Sequence, residues 1–158
     1  MKTKLLTVFL ICFFANLYTS QTMIKTANFN IKKAATILKA KGYEVIEEHE
    51  SFIKIKNKEY SSLFIDLDQD KKYLFFNIKV VIKPGTSKDK IDKLLADINN
   101  LNMIKVKYIP EDNSIFFQYF YWIAESFTEE SFTDAVLEFY LYQGDSYGLD
   151  KDKIFDYE

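Results

Sequence analysis

The chain has 158 residues, 48% of them hydrophobic and 28% charged, with 21 lysines and no arginine against 23 acids and one histidine. Four glycines and two prolines among so many apolar residues exclude a disordered or low-complexity chain. A net charge of −2 with no basic stripe argues against nucleic acid as a partner.

Lys2 and Lys4 lead into the apolar run Leu5–Leu17, which is followed by the polar stretch "YTSQT". This is the build of a Sec signal peptide: the run is too short to span a bilayer comfortably, and no second one follows. Residues 1–21 are therefore expected to direct export, leaving a periplasmic or secreted domain over 22–158. The cleavage site is weakly marked, because Tyr18 stands where a small residue is expected if cutting follows Ser20. An uncleaved signal is the alternative, and the one route to a membrane that the sequence offers. Bulky Ile11 ahead of Cys12 argues against a lipoprotein. Loss of Lys2 and Lys4 leaves 19 basic residues against 23 acids, a net charge of −4. Cys12 leaves with the signal, so no disulfide is available and the domain must rely on its core.

Ile31, Ala34, Ala35 and Leu38 recur at helical spacing, with Asn28 or Asn30 to cap them and Gly42 to stop them, which predicts a helix over about 30–41. The period then becomes two. "YEVIEE", "FIKIKN", "SSLFIDL" and "KKYLFFNIKVVI" read as antiparallel strands, and "DQDK" suits a hairpin turn between the last two. Pro84 and Gly85 break the chain, Ser87 is a cap, and Ile91, Leu94, Leu95, Ile98 and Leu101 mark a second helix closed by "NNLN". Asp89 and Lys93 stand at i,i+4 on its wet side. "MIKVKYI" is a strand, "PEDNS" a turn, and an aromatic strand follows. Thr128 or Ser131 caps a last helix carrying Phe132, Ala135, Val136, Phe139 and Tyr140. From about 143 the acidic, turn-rich tail is expected to be flexible apart from Ile154 and Phe155. The expected fold is α+β: an antiparallel sheet of about five strands with three helices, in the order α-β-β-β-α-β-β-α.

This pattern resembles the YbjN-type domain. The resemblance is carried by "GYEV" after the first helix, by "KPGTSKDK", by "INNLNMIKVKYIPEDNSIFF", and by "ESFTEESFTDAVLEF" opening the last helix; it covers about 28–142. It implies the fold of type III secretion chaperones, which form dimers, and a role as a bacterial sensory-transduction regulator. It supplies no catalytic residues.

Three stretches invite a chemical reading. "GDSYG" (Gly144 to Gly148) matches the G-x-S-x-G of serine hydrolases, but no histidine follows Ser146 and no strand leads into it, so a polar turn is expected. "DLDQDKKYLFFN" begins like a calcium loop with Asp66, Asp68 and Asp70, yet Lys71 stands where glycine is needed and Asn77 where a bidentate glutamate is needed. "EEHE" places Glu47 and His49 on one side of an extended chain, two metal ligands without a third. With one histidine and no cysteine after export, most nucleophilic and metal-dependent mechanisms lack their parts, and no cofactor is expected.

The stretch "NSIFFQYFYWIAESF" holds seven aromatics in fifteen residues. Ile115, Phe117, Tyr119, Tyr121 and Ile123 lie on one face, and Phe116, Gln118, Phe120, Trp122 and Ala124 on the other. Either helices cover both faces and all seven aromatics are core, or one face is left to a partner. The expected function is an exported, non-enzymatic, chaperone-like or regulatory domain that binds protein, itself as a homodimer or a client peptide, through Phe116, Phe120 and Trp122. The alternative is an envelope module for calcium or a small molecule centred on Asp66, Asp68 and Asp70.

Overall fold

The structure, a computed structural model, describes residues 22–58 and 61–156. The expected signal peptide lies outside the described residues, and among those described no helix is long and apolar enough to cross a membrane.

The elements in chain order are β1 (Met23–Lys25), α1 (Ile31–Ala40), β2 (Glu44–Glu48), β3 (Phe52–Lys56), β4 (Leu63–Leu67), β5 (Tyr73–Val81), α2 (Lys88–Asn99), β6 (Lys105–Ile109), β7 (Ser114–Trp122), β8 (Ser126–Thr128) and α3 (Glu129–Tyr147). Six strands form one antiparallel sheet in the order β2-β3-β4-β5-β7-β6, one more than the five expected, and β1 pairs with β8 in a separate two-stranded ribbon. The extra strand arises because Ser51 turns "YEVIEE" back upon "FIKIK", Glu48 pairing with Ile53 and Val45 with Ile55 around a bulge. The chain leaves β5 through α2, returns along the edge as β6, and then inserts β7 between β5 and β6.

Local chemistry sets each helix end. The Asn30 side chain accepts the N–H of Lys33 at 2.8 Å, and Gly42 takes φ 86° after α1, where a side chain would be strained. Thr128 and Ser131 form a reciprocal capping box at the start of α3. Ser87 occupies the cap position of α2 but makes no side-chain cap bond. On the wet side of that helix Lys88 pairs with Asp92 and Lys93 with Asp97, in place of the expected Asp89–Lys93 pair.

α1, α2 and α3 bury their apolar stripes against one face of the sheet. Ile31, Ala34, Ala35 and Leu38 of α1, Ile91, Leu94 and Ile98 of α2, and Phe132, Val136 and Phe139 of α3 join a single core. The sheet contributes Ile53, Ile55, Leu63, Ile65, Leu74, Phe76, Ile78, Ile115 and Phe117. Phe29, just ahead of α1, meets the edges of Phe127 and Phe132 at 4.9 and 5.9 Å.

The tail from 143 to 156 packs on the domain. α3 runs on to Tyr147, and Ile154 and Phe155 are buried. The cause is apolar: Phe155 meets Phe117 at 5.9 Å and Tyr147 at 5.3 Å, closing the end of the core. Backbone bonds from Lys83 to Ile154 and from Asp156 to Val81 then tie the tail beside the end of β5.

Candidate protein-binding face

Alternation along each strand turns half of its side chains away from the helices. Cross-strand register assembles these into rows. Phe52, Asp66, Phe75 and Phe120 stand side by side across β3, β4, β5 and β7. Lys54, Phe64, Asn77, Gln118 and Lys105 form the next row, and Tyr73 stands opposite Trp122 at one end of β5 and β7. Lys79, Phe116 and Lys107 form a third row at the other.

Seven aromatic rings therefore share the face opposite the described helices: Phe52, Phe64, Tyr73, Phe75, Phe116, Phe120 and Trp122. Phe75 and Phe120 lie 4.8 Å apart, Tyr73 meets Phe120 at 5.3 Å and Trp122 at 5.5 Å, and Phe52 meets Phe64 at 6.2 Å. Trp122 keeps 66% of its surface exposed and Phe120 49%, while Phe116 is half-buried. Phe117, one residue away on the same strand, is fully buried. Tyr119 and Tyr121 also face inward, where burial holds both phenols above the usual tyrosine range.

Two lysines of the face stand over its rings. The Lys54 ammonium is 5.0 Å from the centre of Phe64, and that of Lys79 is 6.0 Å from the centre of Phe116 while pairing with Asp112 at 2.7 Å. Asp66 lies in the middle. It is half-buried, accepts a hydrogen bond from Asn77 Nδ2 at 2.8 Å, and is held above the usual carboxylate range by burial, which that bond only partly offsets. Two shallow grooves of about 330 Å³ meet at Asp66. Phe52, Phe64, Asn77, Lys79 and Phe116 line one; Tyr73, Phe75 and Phe120 line the other.

The other sequence candidates disperse. Asp68 accepts the backbone N–H of Lys72 at 3.1 Å, and exposed Asp70 pairs with the Lys72 ammonium at 2.9 Å, which lowers the Asp70 carboxyl below its ordinary range. Lys71, at the position where a calcium loop needs glycine, takes φ 56° and sends its ammonium to the carbonyl of Phe29 at 3.0 Å. Asp66, Asp68 and Asp70 are thus directed to different partners, and among the described residues no group of three histidine, cysteine or acidic side chains is placed to hold a metal. His49 stacks on Phe52 at 5.1 Å beside an open groove of about 570 Å³ between residues 30–32 and 48–50. "GDSYG" is not a turn but the end of α3 and its cap; Ser146 is fully buried and donates to the Gln143 carbonyl at 2.6 Å. The apolar register that carries α3 through Tyr147 overrides the turn chemistry of its glycine.

Phe52, Phe64, Tyr73, Phe75 and a structural place for Asp66 beside them were missed by reading the aromatic strand alone. The signal was present as alternation in "SSLFIDL" and "KKYLFF", but only the register Phe75–Phe120 and Asp66–Phe75 joins the three strands into one face.

No protein-family model matches the chain, and no curated protein matches it. Among solved structures it is similar to YbjN from E. coli, described as a candidate transcription regulator, with a TM-score of 0.64 at 14% identity, covering 79% of this chain and 94% of that one. With its three helices on one side of an antiparallel sheet and this degree of superposition, the chain has the YbjN fold.

Proposed function

We propose that the protein is an exported binding domain, chaperone-like or regulatory and without catalysis of its own, that holds a protein partner against the aromatic face of its sheet. One observation carries this reading: rings from four neighbouring strands share a face with none of the described helices over it, and Trp122 and Phe120 remain 66% and 49% exposed. Contiguous apolar surface of this kind costs solubility unless something covers it. Aromatic rings give a partner large contact area at low conformational cost. β5 and β7, at nine residues each, make the centre of the face about 30 Å long, and the three spacings between β3, β4, β5 and β7 make its aromatic part about 14 Å wide. The roughly 400 Å² this gives is the size at which an exposed apolar patch marks a partner surface. The E. coli neighbour's description as a regulator accords with a binding role. The apolar run at residues 5–17 supports export.

The test is light scattering coupled to size exclusion on the chain from Thr22, together with binding to an array of extended peptides. Trp122→Ala and Phe120→Ala should remain folded and lose self-association or peptide binding. Variants that fold and still bind as the parent does would refute the reading.

A further inference from the structure

We propose that Asp66 is the seat of an arginine side chain supplied by a protein partner other than a second copy of this chain, whose 21 basic residues are all lysines; this rests on the aromatic face being the partner surface. The surroundings of the carboxylate favour a planar cation. Phe52 stands directly across on β3 and Phe75 on β5, with Phe64 two residues away on the same strand. Asn77 supplies one hydrogen bond at 2.8 Å, and among the described residues no lysine or histidine lies within ion-pair distance of the carboxylate. The neighbouring cations are engaged elsewhere: Lys79 pairs with Asp112, and Lys54 stands over Phe64 in register with Glu47.

A half-buried carboxylate among phenylalanines is costly to ionise without a counter-charge. An arriving cation recovers that cost, so the charge complementarity lies with the partner. Guanidinium suits the site better than ammonium, because it is flat, weakly hydrated, stacks on aromatic faces and can meet both carboxylate oxygens at once. Rings of this face already take cations, Lys54 over Phe64 and Lys79 over Phe116, which shows that the face tolerates a charge beside a ring. Calcium fits less well, since it takes six or more oxygen ligands and Asp66 is one carboxylate facing an amide NH₂.

The experiment uses isotope-labelled chain from Thr22, which keeps the described core from Ile24 to Phe155. The probe is acetyl-Phe-Arg-Phe-amide, compared with the same peptide carrying citrulline, which keeps the shape and removes the charge, and with its lysine counterpart. The expected result is that the arginine peptide moves the Asn77 side-chain amide resonance, with the citrulline peptide about tenfold weaker, in line with a charge-assisted bidentate contact. Asp66→Asn, with unchanged dispersion of its spectrum, should erase that preference. Equal binding of arginine and citrulline peptides, or a preference that survives Asp66→Asn, overturns the arginine seat. A lysine peptide that binds as tightly as arginine overturns the guanidinium assignment. Absence of any Asn77 shift at millimolar peptide overturns it as well. Trp122→Ala and Phe120→Ala separate the two readings: if they abolish partner binding while Asp66→Asn does not, the face stands and the arginine seat falls.

Discussion

The side-chain amide of Asn99 closes on both backbone groups of Val106: its Oδ1 accepts the Val106 N–H at 2.9 Å and its Nδ2 donates to the Val106 carbonyl at 3.2 Å. Val106 sits on β6, an edge strand of the six-stranded sheet. An open edge invites pairing with another chain, and here the last residue of α2 imitates the missing strand. Lys105 adds to the closure by reaching back to the Asn99 carbonyl at 2.9 Å. Asn99→Ala should therefore cost about 1–2 kcal/mol through two partly buried hydrogen bonds. It should also raise concentration-dependent self-association. Denaturant melts and light scattering check the two halves, and an Asn99→Ala protein that stays monodisperse refutes the edge role.

The two faces of β7 differ sharply in what a truncation should cost. Phe117 is fully buried against Tyr147 and Phe155, so Phe117→Ala should lose about 3–5 kcal/mol, the range for a large core aromatic. Trp122→Ala, at 66% exposure, should cost no more than about 1 kcal/mol, mostly its edge contact with Tyr73. Urea melts of both variants decide the matter. Losses of equal size would mean that the face opposite the described helices is integral to the core.

The strands and helices were legible because apolar residues keep period two through β3, β4, β5 and β7 and helical spacing through α1 and α2. What was not legible depends on distance in sequence. Whether helices cover one or both faces of β7 is fixed by where α1, α2 and α3 pack, and no local pattern states it. Asp66, Asp68 and Asp70 share a spacing that suits a calcium loop, but the spacing does not reveal that Asp66 belongs to the strand and pairs with Asn77 eleven residues away. The tail misled for the opposite reason. Glycine, serine and aspartate suggest a turn, while Ile154 and Phe155 are too short an apolar signal to show that they close the core.

Asp150 organises that tail. Its two carboxylate oxygens accept the N–H groups of Ile154 at 2.9 Å and Phe155 at 3.0 Å, and the residue itself is buried. Asp150→Ala would remove both of these bonds and should cost about 1–3 kcal/mol. Hydrogen exchange at Ile154 and Phe155 should quicken well before exchange in β5 and β7. Protection at those two amides that survives the substitution would show that Phe155 packing alone holds the tail.

Asp66 predicts an inverted pH response. Burial raises its carboxyl above the ordinary aspartate value, so the folded state holds the proton more tightly than the unfolded one. For this group, stability is fully present below the ordinary aspartate value and is lost as pH rises through the raised folded value. Asp66→Asn removes the ionisable group and leaves a carbonyl that can still accept from Asn77. At neutral pH the variant should therefore be more stable than the parent, by no more than about 1 kcal/mol because solvent screens a half-exposed carboxyl. The advantage should close as pH falls below about 4. Melting temperatures of both proteins across that range read the difference directly. An Asp66→Asn protein that is less stable at neutral pH would mean that the ionised carboxylate is held by more than Asn77. In that case the face already supplies its own counter-charge and has no vacancy for a partner's arginine.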